Sequence, residues 1–192
     1  AWGALLAQTR QGAPVDVFAP ADPATMDRAA EAKLLADGSR VDFARNTLVV
    51  VLPASGTRTP QALKDLADPA YRRIAAGTPA SVPAGKYTAD AVAQAGLADA
   101  LQSRWVFGES VRQVLNYVSR NEVDAGFVYR TDALLAPDKT RIAFTVPTQS
   151  AVTYPVARVA ASTNAQAGGN FIAFVQGQEG QAILRRFGFS AP

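Results

Sequence analysis

The sequence predicts an α/β fold of mostly parallel sheets flanked by helices. Apolar runs of strand length alternate along the chain with segments of helical periodicity. The connections between them are short. Asn46-Thr47-Leu48-Val49-Val50-Val51-Leu52 is a continuous, largely β-branched run, the pattern of a strand buried on both faces.

In chain order, residues 1–8 read as the middle of a helix with neither cap nor preceding strand. A strand–helix–strand unit of roughly 30 or more residues is therefore expected ahead of it. A strand is expected over 15–19, then a turn at Pro20 to Pro23. A helix follows over 24–35, with Met26, Ala30 and Leu34 on one face and Gly38 past its end. After the 46–52 strand, Thr59 reads as an N-cap and Pro60 as N1 of a helix carrying Leu63 and Leu66. A strand over 74–76 leads into the loop Ser81-Val82-Pro83-Ala84-Gly85-Lys86-Tyr87-Thr88. The helix beyond holds Ala91, Val92 and Ala95 and stops at Gly96.

The second half continues the alternation. A strand over 104–107 precedes a helix over 111–120 with Val114, Leu115 and Val118 at core spacing. Next come a strand over 123–129, a short helix at Ala133-Leu134-Leu135, and strands over 142–146 and 154–160. A last helix over 169–187 has Phe171, Phe174, Val175 and Ile183 as its apolar stripe. Trp2, Trp105, Phe171 and Phe174 are expected to pack cores. No internal repeat or low-complexity segment occurs.

Composition narrows the chemistry. The 192 residues, 48% hydrophobic, suffice for one large domain or two small lobes. Without Cys there are no disulfides, thiolate metal sites or cysteine nucleophiles. Without His there is no Ser-His-Asp hydrolysis, His-ligated metal or imidazole base. The net charge of +3 is mild. Its densest pairs, Arg72-Arg73 and Arg185-Arg186, sit in helical patterns beside apolar residues, so no nucleic-acid footprint is read. No run approaches the ~20 apolar residues of a membrane span. Residues 1–8 carry no leader pattern and give no reading of compartment.

The candidate site is the 81–88 loop. A strand running into Pro, Gly and a helix start leaves backbone N–H groups free at the positive end of a helix dipole, a ready site for an anion. Glu109-Ser110-Val111-Arg112-Gln113 opens a second helix in the same way, and Ala125-Gly126-Phe127-Val128-Tyr129 is a buried strand ending in a hydroxyl. Two helix N-termini and a Tyr can converge on one small oxyanion. Asp16 and Asp22 read as turn caps. Ser110 reads as an N-cap more than as a ligand, and Ser110 and the solvated Lys86 are the candidate rim residues.

These residues together resemble the periplasmic molybdate-binding proteins, the solute receptors of molybdate ABC importers. The resemblance spans essentially the whole chain. It rests on Gly12-Ala13-Pro14-Val15-Asp16-Val17-Phe18, Ala21-Asp22 with Met26-Asp27, and Asn46 to Val51. It continues through Val82-Pro83-Ala84-Gly85, Val111-Arg112, Arg120-Asn121-Glu122, Gly126-Phe127-Val128-Tyr129, Tyr154-Pro155-Val156 and Arg186-Phe187-Gly188-Phe189. It implies a two-lobe, type II periplasmic-binding-protein fold with the ligand in the interlobe cleft. Lobe 1 would comprise 1–45 and 154–192, its N-terminal part missing, and lobe 2 would comprise 46–153.

By the same resemblance, Ala84 and Val111 donate backbone N–H groups and Tyr129 its phenolic O–H to molybdate or tungstate. The family's two first-lobe serines would lie upstream of Ala1. No cofactor and no protein-ligated metal cation are implied. The implied partners are membrane permease subunits, the compartment is the periplasm, and the protein is a monomer that binds no nucleic acid.

A dianion can be held by neutral donors, because N–H groups, hydroxyls and helix dipoles spread the compensating charge. A shell of donors without acceptors disfavours protonated anions such as phosphate. Three other functions fit the same residues. The first is a receptor for sulfate or another tetrahedral oxyanion. The second is the effector-sensing domain of a transcription regulator, although no helix-turn-helix segment or basic arm is read. The third is an enzyme of this fold using Lys86 or Tyr87 as base.

Overall fold

The computed structural model describes residues 2–192, and side chains from residue 4 onward. The expected core role of Trp2 lies outside the described side chains. The chain divides into two compact units: unit 1 is Ala1–Arg45 with Val152–Pro192, and unit 2 is Asn46–Ala151. The architecture is α/β, with one sheet in each unit and helices flanking the sheets.

Unit 1 contains α1 (Trp2–Arg10), β1 (Val17–Phe18), α2 (Pro23–Glu31), β2 (Val41–Asn46, whose last residue already belongs to unit 2), β8 (Val152–Arg158), α7 (Ala165–Gln176) and α8 (Gln178–Arg186). Its strands lie in the order β1-β8-β2, with β1 antiparallel to β8. Leu6, Phe18, Met26, Ala29, Ala157 and Val159 form its core. Asp22 caps α2 as expected, its carboxylate accepting the Thr25 N–H and hydroxyl.

Helix α2 ends four residues earlier than its apolar spacing predicts, and the buried residue is Ala29, while Ala30 is exposed. The stop is made by Lys33 at φ 54, not by Gly38. The Leu34 N–H reaches the Ala29 carbonyl and the Lys33 N–H the Ala30 carbonyl, which closes a Schellman turn. Strand β2 was not anticipated, since Val41-Asp42-Phe43-Ala44-Arg45-Asn46 is too polar to stand out.

The single C-terminal helix expected over 169–187 is two helices, broken at Gly177, whose ψ of 171° is extended. A Cβ at Gly180 would overlap the Phe174 carbonyl oxygen, so α8 turns directly over the end of α7. Gly168 and Ile172 point inward, whereas Phe171, Phe174 and Ile183 are exposed, contrary to the expected stripe.

Unit 2 holds β3 (Leu48–Pro53), β4 (Ile74–Gly77), α3 (Pro83–Gln94), α4 (Ala98–Leu101), β5 (Trp105–Gly108), α5 (Val111–Ser119), β6 (Ala125–Tyr129), α6 (Arg130–Ala133) and β7 (Thr140–Thr145), with 3-10 turns at Leu63–Ala67 and Gln102–Arg104. The sheet order is β5-β4-β6-β3-β7. β4 runs parallel to β5 and β6, but β3 is antiparallel to both β6 and β7. The sheet is thus mixed rather than mostly parallel. The apolar run of β3 reports burial, not direction: Leu48, Val50 and Leu52 enter one core cluster, and Val49 and Val51 enter the other.

Two smaller expectations also shift. No helix starts at Thr59-Pro60; the Asp65 carboxylate accepts the N–H groups of Gln61 and Ala62 and starts a 3-10 turn at Leu63. The short helix expected over 133–135 is α6, which begins at Arg130 and leaves Leu134 and Leu135 exposed past its end. Trp105 packs against the unit 2 core, its ring 5.9 Å from that of Phe127.

Candidate functional site

Three parallel strands of unit 2 end at one edge of the sheet. Gly77 closes β4 opposite Gly108 of β5, and β6 runs in register beside β4, with Ile74 opposite Ala125. Helices α3 and α5 start from that edge, and Tyr129 is the last residue of β6. Carboxyl ends of parallel strands, with helix N-termini above them, are where α/β sheets bind ligands. Ala84, Val111 and Tyr129 therefore fall at the same end of unit 2.

The first turn of α3 leaves one donor open. Val82 is its N-cap without a side-chain cap bond, and Pro83 has no N–H to offer. The N–H groups of Gly85 and Lys86 both turn to the Val82 carbonyl, at 2.9 and 3.2 Å. The Ala84 N–H has no acceptor among the described residues. Glycine is required next to it, because a Cβ on Gly85 would overlap the Gly77 carbonyl. That contact seats the turn on the end of β4.

The first turn of α5 is organised differently. The Ser110 hydroxyl accepts the Gln113 N–H at 3.2 Å, the N-cap role read from sequence. The Gln113 side chain reaches back, its Oε1 accepting the Glu109 N–H at 2.7 Å. This is a variant of the capping box at Ser-x-x-Gln spacing. The N–H groups of Val111 and Arg112 are left without an acceptor among the described residues. Arg112 is not among the donors the sequence predicts, although any helix start leaves its N2 donor open as well as N1.

The two turns are tied together by Thr78. Its backbone N–H and its hydroxyl both donate to the Gly108 carbonyl. Tyr129 is half-buried, packs against the core and serves as N-cap residue of α6. Lys86 is exposed. Asp132, in α6, has its carboxyl pushed above the usual range by burial, an effect opposed by the Arg112 guanidinium. The apolar cavity of about 160 Å³ behind α3 is lined by Thr88, Val92, Trp105 and Phe107, and touches none of the three donor residues. No cluster of three or more Asp or Glu suited to a metal ion occurs among the described residues.

A family model for the bacterial extracellular solute-binding proteins matches residues 1–190. The chain belongs to that family. Among curated relatives of this solute-binding protein is the molybdate-binding protein ModA of Escherichia coli, 33% identical over 192 residues that cover 97% of this chain and 74% of the relative. Another is a provisionally named ABC-transporter substrate-binding lipoprotein, YvgL, of Bacillus subtilis, 33% identical over 98% of this chain and 72% of its own length. A solved structure from Clostridium difficile superposes with a TM-score of 0.92 at 35% identity, covering all of this chain and 83% of that one. It is provisionally assigned as the substrate-binding domain of a molybdenum ABC transporter. Solved type II periplasmic binding proteins share the solute-binding protein's fold. No helix among its described residues is long and apolar enough to cross a membrane.

Proposed function

We propose that this solute-binding protein is the receptor of a molybdate importer. It binds molybdate, and its close analogue tungstate, through the N–H groups of Ala84 and Val111 and the hydroxyl of Tyr129. The observation that carries the reading is the pair of unpartnered helix-start donors, Ala84 and Val111, placed at one sheet edge with Tyr129. The names of the relatives from Escherichia coli and Clostridium difficile support the choice of anion.

The chemistry follows from the donors. Two helix dipoles and oriented N–H groups favour a dianion without a facing cation, and leave no acceptor for an anion that still carries a proton. Phosphate, partly protonated near neutral pH, is disfavoured; fully ionised molybdate, tungstate and sulfate are accepted, and the size of the site selects among them. Three donors leave part of the tetrahedral shell to other groups. The protein works as a binding component with no catalytic step. Tyr87, one of the two side chains available as a base, packs against the core. Delivery goes to membrane permease subunits, in the periplasm, from a monomer.

Isothermal titration against molybdate, tungstate, sulfate and phosphate tests this. Binding of the first two, with silence from the others, is the expected result. Equal or tighter sulfate binding reassigns the protein to another oxyanion, and silence from all four removes the oxyanion reading.

A further inference from the structure

We propose that Gln113 is a positioning residue of the oxyanion site, organising the α5 donor turn through its amide while keeping that turn free of negative charge. The inference rests on the oxyanion reading above. Gln113 makes three hydrogen bonds around the helix start. Its N–H donates to the Ser110 hydroxyl at 3.2 Å, its Oε1 accepts the Glu109 N–H at 2.7 Å, and its Nε2 donates to the Tyr117 hydroxyl at 2.8 Å. The ring fixes the backbone from Glu109 to Gln113 on both sides of Val111 and Arg112. Those two N–H groups remain open because the ring consumes neither.

The capping spacing works with Glu as well as Gln at this position. A Glu would also favour the helix, since a carboxylate in the first turn meets the positive end of the dipole. On stability alone Glu is the better residue. For anion binding it is the worse one, because its carboxylate would lie in the turn whose dipole and N–H groups are to meet a dianion. The neutral amide keeps the geometry and omits the competing charge. Neither donor helix carries an acid in its first turn, consistent with this demand. The one nearby acid in sequence, Glu109, is exposed, and the ring holds its backbone N–H.

The test is titration of the 192-residue chain with molybdate at low and high salt, alongside thermal unfolding. The variants are Gln113→Glu, Gln113→Met and Asn116→Glu. Asn116 is exposed one turn further along the same helix, so its Glu variant carries the same added charge away from the donors. Gln113→Glu is expected to unfold at the same or a higher temperature while losing about tenfold or more in affinity at low salt, with part of the loss relieved at high salt. Gln113→Met should lose less, and Asn116→Glu should stay within about twofold.

Wild-type affinity in Gln113→Glu overturns the inference, as does an equal loss in Gln113→Met, which would assign the effect to packing alone. A lower unfolding temperature in Gln113→Glu also overturns it, because the carboxylate would then fail to keep the ring. Silence of the unsubstituted chain toward every oxyanion is a different failure, that of the function itself, and is read in the control titration before any variant is compared.

Discussion

The carbonyl of Gly108 accepts two hydrogen bonds from Thr78, 2.9 Å from its backbone nitrogen and 3.1 Å from its hydroxyl. Through this pair the end of β4, which leads to Ala84, is joined to the end of β5, which leads to Val111. The spacing of the two donor turns therefore depends on a side chain that touches neither donor. Thr78→Val keeps the shape and the backbone bond but removes the hydroxyl. It should lower stability by about 1 kcal/mol and molybdate affinity by roughly fivefold, with Thr78→Ser restoring most of both. Calorimetric titration and denaturant unfolding of the two variants check this, and a Thr78→Val protein that binds normally would separate the tie from the site.

Gly85 makes the sharpest steric demand at the site. An added Cβ would overlap the carbonyl of Gly77, which is backbone and cannot rotate away. Gly85→Ala must push the first turn of α3 off the end of β4, displacing the Ala84 N–H with it. The expected cost is roughly 2 kcal/mol or more of stability, with anion binding lost. Ala89, exposed on the same helix, gives the comparison: Ala89→Ser should leave unfolding and titration nearly unchanged. Normal binding by Gly85→Ala would mean that the turn has room to move without losing its donor.

Much of unit 2 was legible in the sequence because its signals are local. The run from Leu48 to Leu52, the Ser-x-x-Gln start of α5 and the spacing of Val114, Leu115 and Val118 each report burial or capping within a few residues. Strand direction was not legible. β3 is buried on both faces whichever way its neighbours run, so its antiparallel pairing with β6 and β7 leaves no trace in composition.

Unit 1 was harder for a related reason. The aromatics of α7 follow helical spacing, yet Phe171 and Phe174 lie on its exposed face, while Gly168 and Ile172 are buried. Lys33 ends α2 in a conformation that sequence reasoning reserves for glycine. At the site, the donors Ala84 and Val111 have side chains with no chemistry of their own. Their strand–turn–helix setting marks them as donors, and the family resemblance says which anion they would meet.

Asp132 makes stability depend on pH. Burial raises its carboxyl above the usual carboxylate range, the Arg112 guanidinium opposing. The folded chain therefore holds this proton at pH values where the unfolded chain has released it. Stability from this group falls as pH rises from the unfolded value through the raised one, and is flat above both. Asp132→Asn removes the titration. The variant should match the parent near the acid end of that window and unfold at a higher temperature above it. Thermal scans from about pH 4 to about pH 7 check the sign. A parent that gains on the variant as pH rises would show the Arg112 attraction outweighing burial.

Tyr129 and Lys86 separate binding by neutral donors from binding by charge. Tyr129→Phe removes one hydroxyl and keeps the half-buried ring that packs on the core. A hydroxyl donating to an anion contributes more than a neutral pair, and its loss should weaken molybdate binding by roughly tenfold. Lys86 is exposed, and its attraction for an anion is screened by salt. Lys86→Ala should therefore change the affinity by less than about threefold at physiological ionic strength, and by more only when salt is low. Titration of both variants at two salt concentrations decides the matter. A large loss in Lys86→Ala with little change in Tyr129→Phe would move the anion away from the strand end and toward the rim of α3.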